Sequence, residues 1–398
     1  QVGRSDAAPA RTATTSGQDG EMTEPLPTTT RELRSTLDAS GSLSLTVGTA
    51  AVAAPGPDDV VVRIEAAPIN PSDLGLLLAG ADASGATAID TDGFPGVEVR
   101  VTAGLGAMSA RFGHALPAGN EGGGVVVAAG TSDAAQALLG ATVGFASGNA
   151  YAEYRTLNVA QCLRMPDGTA PADAAASFVN PLTALGMVET MRAEGHTALV
   201  HTVGASNLGQ MLIRICRDDD VALINIVRKP EQAAMVRDLG AAPVVDSSAD
   251  SFVADLTAAL AATGATIAFD AIGGGDLAGL LLARMEKVAS QGSEFSRYGS
   301  DTAKQVYIYG GLDRRPTVLN RNFGLTWSVS GWLLTPFLAK AGAEVTARLR
   351  QRVADEITTT FASNYGMHLS LTDAVDPANV QRYAQVATGD KALITPHA

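Results

Sequence analysis

At 398 residues the chain is too long for one ordinary core and calls for two domains. Its 46% hydrophobic and 17% charged content is that of a globular protein, and a formal net charge of −13 argues against a nucleic-acid partner, which needs a basic field to release counterions. No apolar run has the length to span a bilayer and no apolar signal segment opens the chain, so the expectation is a cytoplasmic protein that binds neither membrane nor nucleic acid.

Residues 1–30 are rich in Ala, Thr, Ser, Gly and Pro without periodicity and read as a flexible tail, with Met22 as a candidate native start. From 40 to 180 short apolar runs alternate with turn residues: LSLTV (43–47), VVVRIEAAPI (60–69), VVVAAG (125–130), TVGFA (142–146) and YAEYRTL (151–157). That is the pattern of a mostly β barrel. Residues 79–118 read as an enlarged loop of small residues whose few large side chains are Phe94, Met108, Phe112 and His114. Two readings stand for it, the roof of a substrate pocket or a surface insertion. Cys162 and Cys216, each in an apolar segment, read as buried reduced thiols and not as a disulfide.

From 180 to about 360 strands alternate with helical patterns, the mark of a parallel sheet with crossovers. The most informative stretch is TALVHTVGASNLGQMLIRICRDDDVALINIVRKPEQ (197–232). Residues 198–202 suit a buried parallel strand, and 206–216 place Leu208, Met211, Leu212 and Ile215 on one helical face. The turn between them aims backbone N–H groups and the positive end of a helix at a pyrophosphate, which makes Gly204, Ala205, Ser206, Asn207 and Leu208 the candidate contacts. Ser206 stands where the G-x-G-x-x-G fingerprint has its middle glycine, so a ligand-free crossover is the competing reading. After the second strand come Arg228 and Lys229, where a site for NAD places an acid; cations there favour the 2′-phosphate of NADPH.

Further strands are PVVDS (243–247), ATIAFDAIG (265–273), KQVYIYGGL (304–312) and TWSVSGW (326–332). Ile272, Gly273, Tyr309 and Gly310, at carboxyl ends of these strands, are candidate walls of the nicotinamide half of the site, with core packing as the alternative for Ile272 and Tyr309. His201 reads as a core histidine ahead of a catalytic one, and Asp73 and Asp270 as structural acids. The apolar run 321–342 is expected to form the last strand and a helix. Either it pairs with a second copy in a homodimer, or Trp332 and Leu333 line the substrate pocket. MHLSLTDAV (367–375) and KALITP (391–396) return to strand character and would rejoin the first domain.

Six segments, AAPINPSDL (66–74), GNEGGGVVVAAG (119–130), YAEYRTLN (151–158), NPLTAL (180–185), VGASNLGQ (203–210) and GDKALITP (389–396), resemble in order the medium-chain dehydrogenase/reductase superfamily. Within it the chain is similar to the zinc-lacking branch of quinone oxidoreductases and 2-enoyl thioester reductases. The resemblance implies an α/β fold with a Rossmann doubly wound parallel sheet (180–361) and a GroES-like mostly β barrel domain (31–179 and 362–398). It implies NADPH-dependent hydride transfer to a quinone or α,β-unsaturated carbonyl, with Thr183 beside the nicotinamide; a non-catalytic NADPH-binding relative is the alternative.

In zinc-dependent relatives the positions matching Asn70 and Asn120 are a cysteine and a histidine ligand. Neutral amides are poor zinc ligands, so no metal is expected. Asn70 and Asn120 are candidate catalytic donors to a developing oxyanion or holders of the nicotinamide ribose, and equally plain turn residues. Enoyl thioester reductases of the superfamily carry a tyrosine proton donor soon after the N-P-[SA]-D segment. No tyrosine occurs in 75–90, and Leu185 ends the N-P-x-T-A-x motif where those enzymes have tyrosine, so the sequence names no proton donor.

Overall fold

The computed structural model describes residues 26–91 and 93–398, so the expected tail lies outside the described residues up to residue 25. Its last positions are not tail. Strand Thr29–Leu37 begins there and buries Thr30, Glu32 and Ser35 along with Leu33 and Leu37. Buried polar side chains on both of its faces blur the period-2 apolar signal, which is why this strand was hidden in the sequence.

Thr29–Leu37 belongs to an antiparallel sheet in the order Thr87–Thr91, Phe94–Arg100, Ser42–Ala51, Thr29–Leu37, Leu116–Pro117. Residues 79–118 are therefore not a plain loop. They supply two full strands and a short one, and small residues suit the close strand contact: a Cβ on Gly96 would lie 2.6 Å from the Leu45 carbonyl oxygen.

A second sheet runs Cys162–Arg164, Thr142–Ala146, Glu121–Ala129, Asp59–Pro68, Ala392–Ile394, Met367–Leu369, with Tyr154–Asn158 also pairing Asp59–Pro68. The C-terminal strands thus rejoin the barrel, Leu393 lying opposite Pro68. Leu33, Leu45, Val62, Ile64, Phe145 and Ile394 share the core between these sheets.

The third sheet has six parallel strands in the order Val244–Asp246, Ala222–Val227, Ala198–His201, Ile267–Asp270, Lys304–Ile308, Trp327–Gly331. In chain order this is third, second, first, then fourth to sixth. Winding reverses beside Ala198–His201, and in such sheets ligands bind outside the carboxyl ends of the strands at that reversal. Both faces are covered. Leu199 joins the cluster beneath helices Val179–Ala193 and Asn207–Asp218, whereas Ala198 and Val200 join the one beneath Phe252–Thr263 and Leu277–Ala289. Burial on both sides explains the unbroken apolar runs of these strands.

The fourth and fifth strands end earlier than their apolar runs suggested, because the chain turns at glycines. Gly273 has φ +79°, and a Cβ there would sit 2.7 Å from the Gly310 carbonyl oxygen. Trp332 is half-buried: its Nε1 donates to Thr190 Oγ1 (3.1 Å), and its ring stacks on Phe337 at 5.6 Å against Gly186. Leu333 is exposed. Both cysteines are free and buried, and among the described residues no helix is long and apolar enough to cross a membrane.

Candidate active site at the strand reversal

The turn after Ala198–His201 has the construction a phosphate site needs. The Ser206 hydroxyl caps helix Asn207–Asp218 by accepting from the Gly209 N–H (3.0 Å), so the helix opens at the turn. A Cβ on Gly209 would lie 2.4 Å from the Gly204 carbonyl oxygen, so close helix–strand packing demands glycine there. Gly204 donates its N–H to the Ile226 carbonyl (3.0 Å). Ala205 and Leu208 are buried with their side chains in the core, leaving their backbone to face a ligand. Arg228 and Lys229 follow the second strand, are exposed, and have no ion-pair partner among the described residues.

Asn70 and Asn120 are brought together by Asp73, whose carboxylate accepts from the Asn70 N–H (2.8 Å) and the Asn120 N–H (2.9 Å). Asn70 is buried. Its Nδ2 donates to Glu121 Oε1 (2.8 Å), and its Oδ1 accepts from Asn180 Nδ2 (3.5 Å). Asn120 is half-buried and its Nδ2 donates to Ser72 Oγ (3.2 Å). The other Glu121 oxygen accepts the N–H groups of Phe178 and Val179, each at 2.9 Å, at the opening of helix Val179–Ala193. Glu121 therefore ties the barrel to the helix that carries Thr183 into the parallel domain. Sequence reasoning passed over Glu121, although it directly follows Asn120 in the quoted segment. Among the described residues no three His, Cys, Asp or Glu side chains cluster to hold a metal ion.

Lys391 was also missed. Its ammonium is buried without a hydrogen-bond partner, 5.5 Å from the centre of the Tyr365 ring. Burial pushes its pKa down, opposed by the charges of Glu121 and Asp73. The signal was present as the one cation of GDKALITP. A buried, unpaired ammonium needs an anion, and the phosphates of a dinucleotide provide one; the capped turn at Gly204 fits the same group.

On the nicotinamide side the candidates divide. Asp270 accepts from Thr202 Oγ1 (2.9 Å) and from the N–H groups of Ile272 (2.8 Å) and Gly273 (3.1 Å), so it shapes this turn. Tyr309 is held from behind by His201, Oη to Nε2 at 2.7 Å. Burial pushes His201 down to about 3, so the ring is neutral at physiological pH and acts as an uncharged support. Thr183 is buried in its helix, and Gly310 runs against Ala271.

Asp73 yields a pH prediction. Burial pushes its carboxyl up from 3.8 to about 7, against the two backbone donors and with the Glu121 charge adding to the rise. The folded state thus holds this proton more tightly than the unfolded chain does. Its contribution to stability is full below the unfolded value and is lost as pH rises through about 7. Between about pH 6 and 8 the protein should lose about 1 kcal/mol through this group, and Asp73→Asn should remove that slope. Urea unfolding of both proteins across the range checks it; parallel slopes would contradict the assignment.

The barrel is tied through Glu121 to the first helix of the doubly wound domain, and in such sheets ligands bind outside the carboxyl ends of the strands at the reversal. No family model and no curated protein matches the chain by sequence. Solved structures do. A candidate NADPH:quinone reductase from Mesorhizobium loti matches with 27% identity and TM-score 0.70, over 94% of this chain and 100% of that one. A quinone oxidoreductase from Pseudomonas syringae matches with 19% identity and TM-score 0.64, over 92% and 100%. The CurK enoyl reductase matches with 14% identity and TM-score 0.66, over 92% and 99%. These matches show the fold, and the neighbours are consistent with the zinc-lacking branch of the medium-chain dehydrogenase/reductase superfamily.

Proposed function

We propose that the protein is an NADPH-dependent, zinc-independent reductase of quinones or α,β-unsaturated carbonyl compounds. The observation that carries this reading is the buried Lys391 ammonium, without a hydrogen-bond partner among the described residues and packed on Tyr365, whose neighbour Asn364 accepts from Asn207 at the opening of the helix that follows the Gly204 turn. The likeness to the Mesorhizobium loti protein supports it.

In this reading the backbone of 204–208, with Ser206 and Asn207, holds the pyrophosphate, and Arg228 and Lys229 hold the 2′-phosphate. Thr183, Ile272, Gly273, Tyr309 and Gly310 surround the nicotinamide. When bound, the reduced cofactor supplies a hydride to an electron-poor carbon of the substrate. The amides of Asn70 and Asn120 steady the negative charge that gathers on the substrate oxygen, a task that needs aimed donors and no metal. The domain division we propose is 31–179 with 362–398 for the barrel and 180–361 for the nucleotide domain. Among the described residues strand Trp327–Gly331 pairs only with Lys304–Ile308, and its other edge is the one we assign to a homodimer.

Loss of NADPH absorbance with a panel of quinones, enones, enoyl thioesters and simple alcohols tests the function. Turnover of the activated acceptors, far above any alcohol, is expected. Tight NADPH binding with no turnover would replace the enzyme by the non-catalytic binding protein. Cofactor choice has its own test. A charge-assisted hydrogen bond contributes roughly 1.5 to 3 kcal/mol before screening, and solvent at these exposed positions reduces each to about 1 kcal/mol. NADPH should bind about tenfold or more tightly than NADH, and Arg228→Ala with Lys229→Ala should erase most of that preference at little cost to NADH. Titration calorimetry showing equal affinities for the unmodified protein would remove the assignment.

A further inference from the structure

Tyr365 stands where the C-terminal return of the barrel meets the dinucleotide helix. The carbonyl of the preceding Asn364 accepts from the side-chain amide of Asn207, the first residue of helix Asn207–Asp218 (3.4 Å). The Tyr365 hydroxyl is buried beside the Ser363 hydroxyl two residues before it, and among the described residues neither makes a hydrogen bond of good geometry. Lys391, whose ammonium lies over the Tyr365 ring, is also unpaired. These buried donors belong to the segment whose Asn364 carbonyl meets the N-terminus of that helix, and to the lysine packed on its tyrosine. Apolar contact with the Ala66, Ala175 and Leu393 cluster anchors the ring. The backbone fixes Tyr365 to Lys391 as well: Gly366 donates to the Lys391 carbonyl (3.0 Å), and a Cβ on Gly366 would lie 2.1 Å from the Gly389 carbonyl oxygen.

An aromatic residue needed only for packing would be phenylalanine, since a buried hydroxyl without an acceptor costs stability. We propose that Tyr365 is a positioning residue that holds the Lys391 ammonium against a phosphate group of the bound cofactor and adds its own hydroxyl as a donor to the same group. The barrel's C-terminal segment thereby completes an anion site that helix Asn207–Asp218 opens. The ring confines the ammonium by cation–π attraction, and the phenol, kept protonated by burial, remains a donor. Glu121, Asp73, Asp173 and His368 are the other titratable groups around the pair. A bound phosphate satisfies all three donors, whereas these carboxylates accept none of their hydrogen bonds.

This inference rests on the nucleotide-binding reading, and the test separates the two. Tyr365→Phe removes only the hydroxyl. The melting temperature of the ligand-free variant should hold or rise, while its affinity for NADPH, followed by nicotinamide fluorescence, should fall about threefold to tenfold, as expected for one hydrogen bond. ADP-ribose should lose affinity by the same factor, and adenosine, which has no phosphate, should not. Tyr365→Leu should weaken NADPH binding further, yet add little once Lys391→Met is present, because the ring acts through that lysine. If Tyr365→Phe binds NADPH and ADP-ribose as the unmodified protein does, the inference is overturned and the cofactor reading stands. If the unmodified protein binds no nicotinamide dinucleotide at all, the underlying reading falls with it.

Discussion

Replacing Glu121 by alanine should cost about 3 to 5 kcal/mol of stability, the figure for breaking a fully buried charged network by removing one partner. The reasoning is local. Glu121 is fully buried and its two oxygens accept three hydrogen bonds, from Asn70 Nδ2 and from the N–H groups of Phe178 and Val179. Truncation leaves all three donors without an acceptor in a dry site, and it also removes a negative charge from the N-terminus of helix Val179–Ala193. Glu121→Gln keeps the shape but turns an NH2 group toward at least one existing donor, so it should cost less than alanine and still more than about 1 kcal/mol. Denaturant unfolding followed by both fluorescence and circular dichroism provides the measurement. Because Glu121 links the barrel to the helix bearing Thr183, the two probes should also separate in the alanine variant as domain coupling weakens. A loss below about 1 kcal/mol with coincident transitions would mean that the network is not a structural tie.

Legibility in the sequence followed burial. The parallel strands are covered on both faces, so their apolar runs are unbroken, and Ala198–His201 and Ile267–Asp270 were readable to within a few residues. The turn at Gly204 was readable because the glycine at 209 has a single steric reason to be there. Thr29–Leu37 was not, since it buries Thr30, Glu32 and Ser35 among its apolar side chains. The strands within 79–118 were masked by small residues that sequence patterns assign to loops. The site divided in the same way. Candidates placed on one local motif, such as Ser206 or Asp270, were visible because their partners lie within a few residues. Glu121 and Lys391 were not, because their significance depends on segments far off in the chain: residues 70 and 178 for the first, Tyr365 and the helix at 207 for the second.

Asn70 carries the largest expected effect on turnover. Its Nδ2 offers two hydrogens; one is held by Glu121 at 2.8 Å, and the other has no acceptor among the described residues. In the proposed function that second N–H is the donor to the substrate oxygen, and the bond to Glu121 would fix the amide so that no reorganisation is needed when charge develops. Asn70→Ala should therefore lower kcat/KM for a quinone or enone by about 1 to 4 kcal/mol, on the order of tenfold to several hundredfold, and kcat should carry most of the loss because the bond strengthens in the transition state. Asn120, half-buried and bonded to Ser72, should matter less; its alanine variant is expected nearer the lower end of that range. Removing the Asn70 amide also leaves Glu121 Oε1 without its donor, so stability and NADPH affinity must be measured beside the rates. A variant that binds NADPH normally and still turns over slowly supports the catalytic role. Full rates in Asn70→Ala would return this asparagine to the turn that Asp73 organises, and the oxyanion would have to be met by another donor.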